Sequence, residues 1–265
     1  MIIGIIAFCV IGIRLLTRSD TLMDYANENP EIAYKTPEAI PTEDAISADE
    51  TVASPTPSPL SDDKDMEYDR FTINELNDEI KDRITGISYP ADDTDAEINY
   101  DDLRYLTVLY YDFNDEVKEG EIICNALIAE DLIDIFTELY DNKYQIEKIR
   151  LVDEYGGDDD ASMEDNNSSC FNYRNIANSS VLSNHSYGMA IDINPFYNPY
   201  IVPGKGANGG DYIVPAGSES FADRTLDFDH KIDENDLCYK LFTEHGFSWG
   251  GSWSRTKDYQ HFEKN

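Results

Sequence analysis

Residues 183–194 read Ser-Asn-His-Ser-Tyr-Gly-Met-Ala-Ile-Asp-Ile-Asn, and they constrain the fold more than any other stretch of the chain. From 189 to 194 the residues alternate as a strand does, with Met189, Ile191 and Ile193 on one face and Ala190, Asp192 and Asn194 on the other. A carboxylate among isoleucines is costly to bury alone, so Asp192 calls for a metal or another cation as partner. His185 precedes the strand, and Gly188 between them permits the tight turn that brings the imidazole back toward Asp192. Alone, His185 would be an ordinary surface or capping histidine. With Asp192 it reads as half of a metal site, whose third ligand must come from elsewhere.

The 265 residues carry a formal charge of −34 and a pI near 4.1. That balance excludes nucleic acid as a partner, because a phosphate-binding surface needs clustered Lys and Arg, and no such cluster occurs. The acidity belongs instead to a solvated surface that keeps a secreted protein soluble. A composition 41% hydrophobic and 12% aromatic is enough for a genuine core. Cys9, Cys124, Cys170 and Cys238 form no C-x-x-C pair, which argues against a cysteine-ligated zinc. With Cys9 set aside, at most one intrachain disulfide is available, of a pairing the sequence does not choose.

Residues 1–23 hold an apolar run followed by Arg14 and Arg18, and they read as a membrane-targeting or anchoring segment, though the run is short for a span. Residues 24–67 are rich in Pro, Ser, Thr and acids and end near Ser54-Pro55-Thr56-Pro57-Ser58-Pro59, the composition of a disordered linker. A single domain is expected over 68–265.

Within that domain, Thr72 and Glu75 form a capping-box pattern for an amphipathic helix through Ile73, Leu76, Ile80 and Ile84. Strands are expected over 103–113, 120–124 and 146–152, and a helix through Ile128, Leu132, Ile135, Phe136 and Leu139. Residues 156–169 read as a polar surface loop, without the glycine and closing glutamate of an EF-hand. Residues 194–215 read as a long irregular excursion, and 236–245 as a helix stopped by Gly246.

The C-terminal Asp258-Tyr259-Gln260-His261 supplies what the first motif lacks: His261 as third ligand and Asp258 as a base beside it, with Glu263 a competitor for that second role. Two histidines and one carboxylate leave a tetrahedral position open, the arrangement of a catalytic rather than a structural zinc. The site then forms only when the C-terminus docks.

Ser-x-His-x-x-Gly-x-Ala-x-Asp, followed by Trp-Gly-Gly-x-Trp and Asp-x-x-His-Phe-Glu, resembles the VanY-like zinc D-alanyl-D-alanine peptidases of bacterial cell walls, a group that includes L-alanyl-D-glutamate endopeptidases. The resemblance covers residues 100–265 and is strongest from Phe171 onward. It implies an α+β fold of the hedgehog/DD-peptidase type, in which a small, mostly antiparallel sheet has helices on one side and a single zinc in a cleft on the other. It implies one Zn²⁺ on His185, Asp192 and His261, Asp258 as general base, Arg174 near the scissile bond for an oxyanion or a substrate carboxylate, and Ser183 as a substrate-binding residue. Arg174 could instead be a counter-ion for the acidic loop before it. The expected substrate is a peptidoglycan stem peptide, cut by an extracytoplasmic monomer tethered to the membrane. D-Ala-D-Ala carboxypeptidase action is expected first and L-Ala-D-Glu endopeptidase action second. Outside enzymes, the rivals are a zinc-bearing binding module that has lost hydrolysis and a structural cell-surface protein stapled by its metal. Retention of Asp258 and Arg174 argues for activity. Trp249 and Trp253 are expected in the core or the cleft wall, and His230 and His245 in structural roles.

Overall fold

The computed structural model describes residues 68–92, 96–176 and 179–264, all within the unit Pro57–Asn265. The apolar N-terminal segment, Cys9 and the linker expected from sequence lie outside the described residues.

The largest sheet grows from apolar alternation. β1 (Thr72–Glu75), β2 (Leu103–Tyr111) and β3 (Val117–Asn125) form an antiparallel sheet in the order β1-β2-β3, between whose first two strands lies α1 (Asp78–Ile84). Leu106 and Val108 of β2 and Ile122 and Cys124 of β3 enter one buried cluster, while Leu103 and Ile123 enter a second on the opposite face. α2 (Ala129–Asp141) covers the first face with Leu132, Ile135, Phe136 and Leu139, all buried at helical spacing. Each such side chain contributes about 1.5–3 kcal/mol of burial. α1 covers the second face with Ile80 and Ile84 and starts at Asn77, whose Oδ1 accepts from Ile80 N at 2.9 Å.

The chain continues through β4 (Lys148–Ile149), α3 (Asp159–Glu164), β5 (Asn167–Ser168), β6 (Ala190–Asp192), β7 (Tyr200–Val202), β8 (Tyr212–Val214), α4 (Leu237–Glu244), β9 (Ser248–Trp249), β10 (Lys257–Asp258) and β11 (His261–Glu263). Two further antiparallel sheets, β6-β11-β9 and β10-β7-β8, and a parallel β4-β5 pair result. The class is α+β with small, mostly antiparallel sheets, as expected, but the sheet is divided rather than single. Asn194, with φ +45°, and Pro195 stop β6 after three residues, which cuts the strands short. Ile191 and Phe262 join the α2 cluster, so β6 and β11 rest on the same core as β2 and β3.

Four local expectations are corrected. Thr72 opens a strand instead of capping a helix, because its Oγ1 pairs with Thr107 Oγ1 of β2 at 2.8 Å, and the helix begins only after Asn77. The strand expected over 146–152 shrinks to β4, since Val152–Tyr155 turns into a 3-10 helix. Residues 156–169 are not a plain surface loop: Asp158 caps α3, and Asn167 and Ser168 are buried. The excursion after Asn194 contains the β7-β8 hairpin. Cys124, Cys170 and Cys238 are buried free thiols, so none of the three pairs. Among the described residues no helix is long and apolar enough to cross a membrane.

Candidate metal centre and active site

His185 rides on a 3-10 turn, Asn184–Tyr187, and both ends of that turn are built by its neighbours. Ser183 Oγ accepts from His185 N at 3.4 Å, and Gly188 closes the turn at φ +63°. A side chain at Gly188 would meet Asn125 N at 2.6 Å, so only glycine lets the turn lie against the end of β3. Asp192 ends β6, and His261 opens β11 directly opposite it in the antiparallel register. Opposed residues point the same way. Phe262 and Ile191 go down into the core, and His261 and Asp192 come up together.

The three side chains converge, each 6% exposed or less. His185 Nε2 lies 3.2 Å from His261 Nδ1 and 3.3 Å from Asp192 Oδ2, and His261 Nδ1 lies 2.9 Å from Asp192 Oδ1. Tetrahedral bonds of about 2.0–2.1 Å to a zinc-sized ion would put ligand atoms ~3.3 Å apart, so the spacing fits. The outer nitrogens fit as well. His185 Nδ1 is 2.6 Å from the carbonyl of Cys170, and His261 Nε2 is 3.3 Å from Glu263 Oε2. Oxygen acceptors there hold the hydrogens on the outer nitrogens and turn the inner lone pairs toward Asp192. A proton satisfies this arrangement in one way: although burial opposes it, Asp192 and Glu263 push His261 up to about 10. Asp192 is held well below the usual carboxylate range, where the two histidines outweigh the cost of its burial. A metal ion would satisfy it in another, with the three side chains as its donors. Among the described residues this is the one group of three or more such side chains that could hold a metal.

Asp258 is placed by a different sheet. β10 pairs with β7, which sets Asp258 opposite Tyr200. A side chain at Gly250 would meet Asp258 O at 2.6 Å and His261 Cβ at 3.3 Å. The glycine in Trp-Gly-Gly-Ser-Trp therefore lets that turn pack against both residues. Asp258 Oδ1 is buried without a hydrogen-bond partner. Burial, supported by the negative charges of Asp192 and Asp159 and opposed by His261, pushes its carboxyl up to about 7. A carboxyl poised there beside the cluster has the reactivity a proton carrier needs.

Other expected residues have definite places. Glu263 Oε2 accepts from Asn184 Nδ2 at 2.5 Å as well as facing His261, so its oxygen is committed to orienting that imidazole. Ser183 has its hydroxyl on the His185 turn. Arg174 Nη2 pairs with Asp159 Oδ2 at 2.7 Å, the acidic-segment contact open to it from sequence, while its Nε is buried and unpartnered. The Trp253 ring centre lies 5.4 Å from that of His261, and Trp249 is buried in the core with Nε1 donating to Tyr259 O at 2.9 Å. His230 stacks on Phe113 at 3.6 Å, and His245 Nδ1 faces Asp131 at 3.2 Å. Sequence reasoning missed the Cys170 carbonyl and Asn184. No signal exists for the carbonyl, which any residue type could supply; Asn184 lies inside the motif and could have been found there.

No curated protein and no solved structure matches the chain. A family model described as D-alanyl-D-alanine carboxypeptidase matches residues 177–264, the stretch that holds His185, Asp192, Asp258 and His261. Over that stretch the chain is similar to the D-alanyl-D-alanine carboxypeptidase family that its motifs resemble.

Proposed function

We propose that this protein is a zinc peptidase that hydrolyses amide bonds in peptidoglycan stem peptides. The observation that carries the reading is the convergence of His185, Asp192 and His261, lone pairs inward, beside the unpartnered buried Oδ1 of Asp258. A zinc ion held by those three residues supplies Lewis acidity, polarising the scissile carbonyl and making a water acidic enough to attack near neutral pH. Asp258 accepts the proton of the attacking water and returns it to the amide nitrogen as the C–N bond breaks, so the base ends the cycle as it began. Glu263 and the Cys170 carbonyl hold the two imidazoles in the tautomers the site requires. The Trp253 ring stands beside His261 and gives that side of the cluster an aromatic neighbour. Ser183, once its hydroxyl turns from His185 N, can meet the substrate backbone.

The first bond to consider is the terminal D-Ala-D-Ala amide, given the description of the matched family. The internal L-Ala-D-Glu bond is the second. Residues 1–23 and 24–67 are proposed as tether and spacer, holding a monomeric domain outside the membrane against the wall. Digestion of purified muropeptides with zinc-loaded protein, read by mass, tests the reading. Loss of one terminal alanine identifies the first bond and cleavage after the first alanine the second; intact muropeptides defeat the proposal.

A further inference from the structure

The two imidazoles of the metal centre are backed by oxygens of different kinds. His185 Nδ1 meets the carbonyl of Cys170 at 2.6 Å, an oxygen that the backbone itself holds in place. His261 Nε2 meets Glu263 Oε2 at 3.3 Å, an oxygen at the end of a long side chain whose rotamer freedom must be lost for it to stay there. Asn184 holds it, with Nδ2 donating to the same Oε2 at 2.5 Å. A carboxylate oxygen has lone pairs for both donors. The shorter bond is the one to Asn184, so Asn184 decides where the oxygen sits and His261 turns to meet it. The Glu263 side chain is 18% exposed, so water dilutes this charge-assisted bond only slightly. Asn184 is fixed in turn by the motif it belongs to. It opens the 3-10 turn Asn184–Tyr187 that carries His185, and its carbonyl accepts from Met189 N at 3.0 Å, while the Met189 carbonyl accepts from Lys264 N at 3.0 Å, next to Glu263. The histidine of the C-terminal strand therefore takes its support from the residue beside the other histidine, 79 positions before Glu263.

We propose that Asn184 is a positioning residue of the metal centre: it anchors Glu263, and through Glu263 it aims His261 Nδ1 into the cluster with His185 and Asp192. This rests on the metal-centre part of the peptidase reading above and names the residue on which one of its ligands depends. The rival role is a plain staple that holds β11 against the turn, and the two roles differ in kind. A staple weakens the whole site whatever stands at 263, whereas a residue that acts through Glu263 has no effect left once Glu263 is gone. It also governs one imidazole only, because His185 has its own acceptor in the Cys170 carbonyl.

The full chain is compared as wild type, Asn184→Leu, Glu263→Ala and the double variant, with zinc affinity read by competition with a zinc-sensitive dye. Glu263→Ala should weaken zinc binding by about 10–100-fold, the weight of an outer partner, and Asn184→Leu, one bond further out, by about fivefold. The double variant should bind zinc no more weakly than Glu263→Ala alone. Asn184→Ser, too short to reach Glu263, should repeat the Asn184→Leu result. In ring-nitrogen NMR of the zinc-loaded protein, the His261 Nε2 proton should exchange with water faster in Asn184→Leu and in Glu263→Ala. The His185 Nδ1 proton, on the Cys170 carbonyl, should keep its wild-type rate in both. Losses of affinity that multiply in the double variant, an unchanged affinity in both Asn184 variants, or faster exchange at both rings overturns the proposal. Zinc binding by wild type without cleavage of muropeptides defeats the peptidase reading alone and leaves the double variant to decide the role of Asn184. A wild type that binds no zinc defeats both.

Discussion

The β2-β3-α2 region and region 183–264, which carries the candidate metal centre, share one core, yet they are held together in different ways. β2 and β3 are nine residues each and α2 is thirteen, and their order comes from long runs of pairing and from apolar area. In region 183–264 no strand exceeds three residues. Its order comes from backbone packed on backbone at Gly188 and Gly250 and from polar side chains that fasten one another. A scaffold of the first kind tolerates drift. The second kind brings His185, Asp192, Asp258 and His261 in from separate turns and strands, at the cost of buried carboxylates that destabilise the fold. Stability and function should therefore be separable by mutation.

The largest break should come at the ligands. His261→Ala or His185→Ala should abolish zinc binding, measured by metal analysis after dialysis, together with turnover. Removal of the last eight residues should do the same, since β11 carries His261. Asp258→Asn should keep the metal and lower kcat by about 10²–10⁴-fold, the usual weight of a positioned acid–base group. Wild-type kcat/KM should rise with pH as Asp258 ionises; the field of the zinc draws the midpoint below the value of about 7 set by burial, and the limb should vanish in the variant. Stability should move the opposite way. A carboxyl raised in the folded state favours folding below its unfolded value of about 3.9 and loses that contribution as pH climbs through the folded value. Metal-free Asp258→Asn should then melt above metal-free wild type at pH 8 and level with it at pH 3.

Phe136→Ala tests the other side of the comparison. It should cost about 3–5 kcal/mol in chemical denaturation. The zinc affinity of the protein that remains folded should stay the same; a parallel loss would show that scaffold and site are not separable.

The same division explains what could be read from sequence. α2 and β2 announce themselves because periodicity reports burial directly, as Leu132, Ile135, Phe136 and Leu139 show. His185, Asp192 and His261 were legible because ligand chemistry demands particular residue types and Gly188 marks the turn between two of them. Thr72 was misread because a hydroxyl serves a cap or a cross-strand pair equally well, and only the position of Thr107 decides. α3 and β5 were hidden because their burial is polar, with Asn167 Nδ2 donating to the Arg150 carbonyl and to Ser162 Oγ in place of apolar contacts. The division of the sheet followed from where Asn194 and Pro195 halt β6, which no pattern of apolar residues records.

The smallest and most discriminating change is Glu263→Gln. Glu263 Oε2 faces His261 Nε2 and receives Asn184 Nδ2, so its charge supports the ligand from behind. Glutamine can still present an oxygen to Nε2, so the ring should keep its tautomer while losing the basicity a carboxylate lends it. Outer partners of this kind weigh about 10–100-fold in metal affinity, and a substitution that keeps the acceptor belongs at the low end. Competition with a zinc-sensitive dye should thus show an affinity about tenfold weaker, with kcat at saturating zinc close to wild type. Were Glu263 the proton carrier instead of Asp258, the variant would hold zinc at full strength and lose turnover. The two measurements together decide which carboxylate faces the substrate and which one faces the ligand.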